Sequence, residues 1–534
     1  MKVLLMHRDR DLDIAQELPW NAPALRQDLE LNTLLEAMAG PDKFVFAVAS
    51  QVLLSGLAND TATILYRQAN LRDALQSPAV IRDLYRLASE VMCRRRKQWF
   101  GFFSRYPSGI LYDAIDLMEM FVGMLRRLRR SAQEHAGLFS SEGFTAFFAR
   151  IERELDEAYL ARIQEHLEAL KFHKGVPLSA QLGENNEGAN YVLHPPVNAR
   201  GPNWLRRLAG FSSASFTFRL HPRDEAGARI LSEIRDRGIN LAANALAQSA
   251  EHILSFVEML RSELAFYVGC LNLHDRLLAK GEPTCFPTPA AAGERRCRFR
   301  GLYDPCLALR MAGRVVGNTA DADGRDLVII TGANHGGKSV FLRSIGLAQL
   351  MMQCGMFVAA ESFTAELCPG LCTHYRRPED PTMRQGKLDE ELGRMSEIAE
   401  HLSPQALLLC NESFAATNER EGSEIARQIV MALVEKRIKV FFVTHLYEFA
   451  DGLYTGMAAQ ASSGRASPKG VGALFLRAER LADGTRTFRI REGEPLQTSY
   501  GEDVYRQVFA ADFAVHDESA CPRGLRQPNP EFPA

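Results

Sequence analysis

The 534-residue chain is long enough for several domains with sizeable cores, and its 46% hydrophobic and 24% charged content describes an ordinary soluble protein. A formal charge of −2 excludes a global basic field, so any hold on nucleic acid must come from local patches. Ten cysteines scattered without a framework argue against a disulfide scaffold and suit a reducing cytoplasm.

At the N-terminus, MKVLLMHRDRDLDI holds too short an apolar run for a secretory signal. No uninterrupted apolar stretch reaches membrane-spanning length either, so a cytoplasmic location without membrane contact is expected. DLELNTLLEAMAG, ATILYRQANLRDAL, AVIRDLYRLASEVMCRRR and AIDLMEMFVGMLRRLRRSAQE carry apolar residues three and four apart, which predicts an all-α core over 1–148. ARIERELDEAYLARIQEHLEALKFH, at 149–173, predicts one longer amphipathic helix. Between about 175 and 222 Gly, Asn and Pro become frequent (GENNEGANYVLHPP, ARGPNW) and β-like pieces such as SFTFRL occur, as in a small insertion at the tip of a helical arm. A second long helical pattern runs from Asp224 to about Lys280, with a break expected near Gly238. Residues 149–282 thus read as lever helices around a clamp-like tip.

Three basic groups stand out: Arg94-Arg95-Arg96-Lys97 followed by Trp99 and Phe100; Arg126, Arg127, Arg129 and Arg130; and Arg295, Arg296, Arg298 and Arg300. Each taken alone reads better as a solvated face than as a binding patch. A Pro-rich linker, PTCFPTPAAAG, is expected within 283–300, an α/β domain over 301–515 and a tail over 516–534.

In the α/β part, the apolar DLVII predicts a buried strand, VFLRSIGLAQLMMQ predicts a helix, and TGANHGGKS lies between them. Gly332 and Gly337 bracket four residues ahead of Lys338 and Ser339, the G-x-x-x-x-G-K-[ST] spacing of a phosphate-binding loop. Glycines let backbone N–H groups close on phosphate oxygens, Lys338 reaches the outer phosphates, and Ser339 can hold Mg²⁺. Gly332, Asn334, Gly336, Gly337, Lys338 and Ser339 are therefore the expected ATP-binding residues. Two further predicted strands, ALLLC and KVFFVTH, lead to Asn411-Glu412 and Thr444-His445, so a parallel sheet would bring these to one edge. In that position Asn411 can join Ser339 at the metal, and Glu412 can take a proton from attacking water. His445 can contact the γ-phosphate or the water. Cys368, Cys372 and His374 lie close together, but without a second paired cluster they suit small hydrophobic roles better than zinc.

TGANHGGKSVFLRS resembles the nucleotide loop of the MutS mismatch-repair ATPases, and the likeness continues through CGMFVAA, LLLCNESFAATNEREG, VFFVTHLYEFA and FRIREGEPLQTSYGEDVYRQVF. It covers almost all of 300–510, while the helical half matches that family's core and lever domains in architecture alone. The resemblance implies an ABC-type ATPase working as a homodimer through its ATPase domains, each site completed by the partner. It also implies DNA and repair proteins as partners. Departures accompany it. The acidic pair is Asn-Glu rather than Asp-Glu, and the Ser-Thr of the trans-acting signature falls on Gly386-Lys387. No mismatch-reading domain is expected, since Phe256-Val257-Glu258 spells the family's wedge but sits in a helix pattern. No helix-turn-helix extension is evident in the tail CPRGLRQPNPEFPA. The expected function is ATP-driven opening and closing of a DNA-binding dimer in DNA repair or DNA-structure processing, with Trp204, Arg206 and Arg207 at the tip as the DNA contact. The alternative is a nucleotide-gated scaffold with weak or no hydrolysis that signals to a protein partner. A metabolic P-loop kinase offers no role for the long helices.

Overall fold

The computed structural model describes residues 1–98, 106–173, 175–184, 187–195, 217–377, 386–462 and 472–496. In chain order the helices are α1 (Ala22–Asp28), α2 (Leu31–Ala39), α3 (Lys43–Ser55), α4 (Thr61–Gln76), α5 (Pro78–Gln98), α6 (Pro107–His135), α7 (Glu142–Glu154), α8 (Glu157–Leu170), α9 (Glu225–Ala279), α10 (Pro305–Arg310), α11 (Lys338–Gln353), α12 (Lys387–His401), α13 (Glu419–Glu435) and α14 (Tyr447–Ser462). The strands are β1 (Leu178–Leu182), β2 (Gly188–Leu193), β3 (Thr288–Ala290), β4 (Cys297–Leu302), β5 (Asn318–Asp321), β6 (Leu327–Gly332), β7 (Ser362–Glu366), β8 (Leu371–Tyr375), β9 (Leu407–Asn411), β10 (Lys439–Val443), β11 (Ala473–Arg480) and β12 (Arg486–Glu492). They form two compact units: Met1–Leu18 with Leu35–Arg276 and Cys354–Met356, and Pro19–Leu34 with Leu277–Gln353 and Phe357–Ala534. The helical periodicity predicts one body over all of 1–148, whereas Pro19–Leu34 falls in the second unit.

Among its described residues the first unit is helical apart from the antiparallel hairpin β1-β2. Its spine is α9, 55 residues long and so about 80 Å at a rise of ~1.5 Å per residue. The C-terminal half of α9 is buried through Val257, Leu264, Phe266, Tyr267 and Leu271, whereas Ile230, Leu231 and Leu241 nearer its start are exposed. The expected break at Gly238 is absent, and the helix runs through it. Here the glycine makes room for a neighbour, because a Cβ at 238 would lie 2.3 Å from a methyl of Leu178 on β1. The single helix expected over 149–173 is instead two. Leu155 leaves helical geometry and Asp156 starts α8 as its N-cap, accepting from the Tyr159 amide.

In the second unit a six-stranded sheet has the order β12-β11-β6-β10-β9-β8, with β8, β9, β10, β6 and β11 parallel and β12 antiparallel at the edge. All six residues of β6 are buried, as the continuous apolar run predicted. A second sheet has the order β3-β7-β4-β5. It absorbs the segment expected to be a linker: Cys297 and Phe299 alternate inward along β4, and Pro289 is accommodated because β3 is an edge strand.

Within the first unit the N-terminal segment is fastened to α9 by a buried carboxyl. Glu263 Oε2 accepts from the Leu5 and Met6 amides (2.6 and 3.3 Å) and Oε1 from the Leu12 amide (2.8 Å). Arg67, also buried, donates to the Met6 and Cys354 carbonyls and to His7 Nε2 (2.9, 3.3 and 2.8 Å). Since an arginine only donates, that His7 nitrogen is an acceptor, and burial brings the imidazole down to about 4. Burial also pushes the Glu263 carboxyl up to about 7, against the three amides that favour its anion. The folded chain therefore keeps a proton that the unfolded chain releases near pH 4.5, so this group's contribution is fully present below pH 4.5 and is lost as the pH rises towards 7. Urea unfolding followed by circular dichroism is expected to show stability falling across that window by on the order of 1–3 kcal/mol more in the parent than in Glu263→Gln. Equal pH slopes would refute it.

Candidate nucleotide site

The loop between β6 and α11 is shaped by two glycines in the left-handed region, Gly332 at φ 111° and Gly337 at φ 91°. A Cβ on Gly332 would lie 2.9 Å from the Ala478 amide nitrogen on β11, so the loop follows the sheet more closely than any other residue would permit. Asn334 is half-buried, His335 is exposed with φ 57°, and Gly336 is buried with its amide on the Ala333 carbonyl at 3.2 Å. Lys338 starts the helix and is almost wholly buried, its ammonium turned back to donate to the Gly332 and Ala333 carbonyls, both at 2.9 Å. Both of these partners are uncharged. Burial lowers its pKa to about 8, with Glu412 acting to raise it and Arg486 to lower it further.

Parallel pairing brings the other candidates to the same edge. Ile330 on β6 lies beside Val443 on β10, which lies beside Asn411 on β9. Ser339 Oγ donates to Asn411 Oδ1 at 2.7 Å, joining the loop to the end of β9. One residue on, the Glu412 amide donates to the Val443 carbonyl at 2.9 Å, and its carboxylate Oε1 lies 3.4 Å from His445 Nε2. The hydrogen bond from His445 holds the Glu412 carboxyl below its ordinary value in spite of partial burial, helped by the charges of Lys338 and Arg376. All of the sequence-predicted residues from Gly332 to Ser339, with Asn411, Glu412 and His445, are thus gathered at one sheet edge.

Arg376 was missed in the sequence. It comes directly after β8, its amide donates to the Asn411 carbonyl at 3.1 Å, and its guanidinium is 3.9 Å from Glu412 Oε2. Glu412 therefore has His445 beside one oxygen and Arg376 beside the other. Phe488 on β12 was missed as well. Half-exposed, with φ 58°, it brings its backbone within 3.7 Å of where a Gly337 Cβ would be. No local motif marks either residue, since β8 and β12 reach the site only through sheet pairing.

Cys368, Cys372 and His374 do not converge on a metal, and among the described residues no group of three or more His, Cys, Asp or Glu side chains does. Cys368 meets Gln353, Cys372 meets Asn21, and His374 lies between Ser413 and the Glu391 carbonyl. Two of the basic groups are largely neutralised. Arg126 and Arg129 pair with Glu157, Arg127 with Glu90, Arg295 with Asp326, Arg296 and Arg298 with Asp323, and Arg300 with Glu361. Phe256 and Val257 are core residues of α9. Trp99, Phe100, Trp204, Arg206 and Arg207 lie outside the described residues.

Residues 59–280 match the MutS2 N-terminal domain and residues 328–469 match MutS domain V. The DNA mismatch repair protein MutS of Synechocystis sp. is 34% identical over 124 residues, 23% of this chain and 14% of that protein. Its counterpart in Thermosynechococcus vestitus is 28% identical over 232 residues, 41% of this chain and 26% of that protein. That of Chloroflexus aurantiacus is 25% identical over 226 residues, 41% and 23% of the two chains. Even the longest of these matches spans only 26% of the relative's own length. The chain is a MutS-like protein of the mismatch-repair family. Its helical half, which in sequence carried only an architectural likeness, has a family match of its own.

Because the Lys338 ammonium is buried against carbonyls, Lys338→Met is expected to raise the melting temperature of the nucleotide-free chain, by roughly 2–4 °C. Differential scanning fluorimetry measures it. A fall would mean that the two carbonyl bonds outweigh the desolvation of the charge.

Proposed function

We propose that this MutS-like chain binds ATP with Mg²⁺ at the loop 332–339, hydrolyses it, and uses the cycle to open and close a homodimer on DNA. The observation that carries this reading is the convergence of Ser339, Asn411, Glu412 and His445 on the edge that also presents the glycine-rich loop. Lys338 exchanges its two carbonyl partners for the outer phosphates, and the loop amides and the start of α11 hold the remaining oxygens. Mg²⁺ suits the donor pair Ser339 Oγ and Asn411 Oδ1, two oxygens already at hydrogen-bond distance, and when bound it supplies charge neutralisation at the phosphates. Glu412 is ionised at neutral pH and takes the proton of the attacking water, while His445 fixes the direction of its carboxylate. Arg376 lends positive charge on the opposite side. The start of α12, at Gly386 and Lys387, is the segment that would reach the partner's nucleotide.

The DNA component rests on the relatives, whose names assign them to DNA mismatch repair. With Arg126, Arg127, Arg129 and the group from Arg295 to Arg300 engaged by acids, Trp204, Arg206 and Arg207, in the clamp-like insertion that the sequence leads us to expect, are the preferred contact. One observation favours the nucleotide-gated scaffold as a second reading: Asn411 brings no negative charge to the metal, which weakens the metal's hold and suits nucleotide binding with weak or no hydrolysis.

Glu412→Gln is expected to keep ATP binding and lose turnover by roughly 100-fold or more, accumulating the closed dimer on sizing chromatography with ATP. Steady-state assays with and without duplex DNA give the comparison. Turnover within a few-fold of the parent would place the base elsewhere, and undetectable turnover in the parent would favour the scaffold. Asn411→Asp restores the missing charge and should lower the Mg²⁺ concentration for half-maximal turnover several-fold, as a rough magnitude. An unchanged Mg²⁺ requirement would remove Asn411 from the metal's surroundings.

A further inference from the structure

The turn that carries Glu412 is held by residues outside the loop 332–339. Glu412 and Phe414 both occupy the left-handed region, at φ 54° and 65°, where side-chain-bearing residues are strained and persist only if their surroundings over-determine them. The determinants are visible. The Phe414 ring is fully buried and stacks on the His374 imidazole, ring centres 5.4 Å apart. Ser413 Oγ lies 2.7 Å from His374 Nδ1 and 2.8 Å from the His374 carbonyl, while His374 Nε2 donates to the Glu391 carbonyl at 3.0 Å. Most directly, the Phe414 amide donates to Glu391 Oε2 at 2.7 Å. Glu391 is buried on α12, and its other oxygen is without a hydrogen-bond partner among the described residues. A buried carboxylate used on one oxygen for a single main-chain amide is costly as core packing, and the amide it holds is two residues from Glu412.

We propose that Glu391 is the positioning residue of the hydrolytic turn, fixing the Glu412 carboxylate towards water through the Phe414 amide, with His374 and Ser413 as the second brace. This rests on the reading of Glu412 as the base. Glu391 is outside the set proposed to hold nucleotide and metal, and its carboxylate meets the Phe414 amide, so its loss should act on the chemical step and not on binding.

The test compares Glu391→Ala, which removes the acceptor, with Glu391→Gln, whose amide oxygen can still receive the Phe414 N–H. Steady-state ATP turnover should fall on the order of a hundredfold in kcat for the alanine variant, with KM for ATP within about twofold of the parent. The glutamine variant should recover most of that loss. Hydrogen–deuterium exchange read by mass spectrometry should show faster amide exchange across 412–414 in the alanine variant alone. Parent-like kcat in Glu391→Ala, or equal loss in both variants, overturns the proposal. If the alanine variant fails to fold, Glu391→Asp, too short to reach the amide, takes its place with the same expectations. A parent chain without ATP turnover would sink the base assignment instead. The exchange measurement would then still decide whether Glu391 holds the turn, and unchanged exchange at 412–414 would overturn it.

Discussion

Parallel pairing of β6 with β10 and of β10 with β9 is the constraint from which the candidate site arises. Because the three strands run the same way in matched register, their carboxyl ends stop together, and the loop after each strand is delivered to one edge. The register is held by burial: Leu327, Ile329, Leu408, Cys410, Val440 and Phe442 share a core with Phe414 and Phe449. A slip of one residue in any of these strands would turn its inward set to the wrong face and separate Ser339 from Asn411. The chemistry at the edge is therefore specified by apolar residues that take no part in it.

The same edge concentrates costs that a purely structural sheet would avoid. Lys338 is buried with its ammonium on two neutral carbonyls, and His335, Glu412, Phe414 and Phe488 all hold positive φ within the loop, the turn and the hairpin around it. Strain of this kind is about 1–3 kcal/mol per residue, and several such residues around one loop are what a site built for a ligand would carry. The opposing supply comes from the fully buried β6 and β10, and from Arg343 on α11, whose Nε and Nη2 both reach Asp304 Oδ2 and fasten the helix one turn beyond Ser339.

Much of this edge was legible in the sequence because its residues sit at fixed offsets after strands. Gly332 to Ser339, Asn411, Glu412 and His445 could each be read from a run of apolar residues and the polar positions just beyond it. Arg376, Glu391 and Phe488 could not, since each is placed by pairing or packing between segments far apart in sequence. The helical half was readable as helices and misread in its punctuation. The charge pattern over 149–173 reads as one helix, although Asp156 within it caps α8; Gly238 reads as a breaker, although it is a contact point for Leu178. Periodicity reports which face is buried and says little about what lies against it. The arginine groups show the same limit from the other side, because a run of like charges in sequence proved to be a set of ion pairs once the acids of other segments were in place.

Helix α12 joins the two ends of the proposed cycle. Lys387 at its first position and Glu391 one turn on occupy the same face of a single rigid element, with the carboxylate bonded to the turn after Glu412. In the proposed dimer the Lys387 end meets the partner's nucleotide, so a displacement of that end would reach the chain's own base through one hydrogen bond at 2.7 Å. Such a connection needs no long pathway of side chains. It needs only a strained turn whose brace can shift, and Glu412 and Phe414 both hold positive φ. The replacement of a hydroxyl pair by Gly386-Lys387 then acquires a physical sense. A lysine at the helix start carries charge rather than a short dipole, and it does so on the element whose Glu391 accepts from the turn after the proposed base.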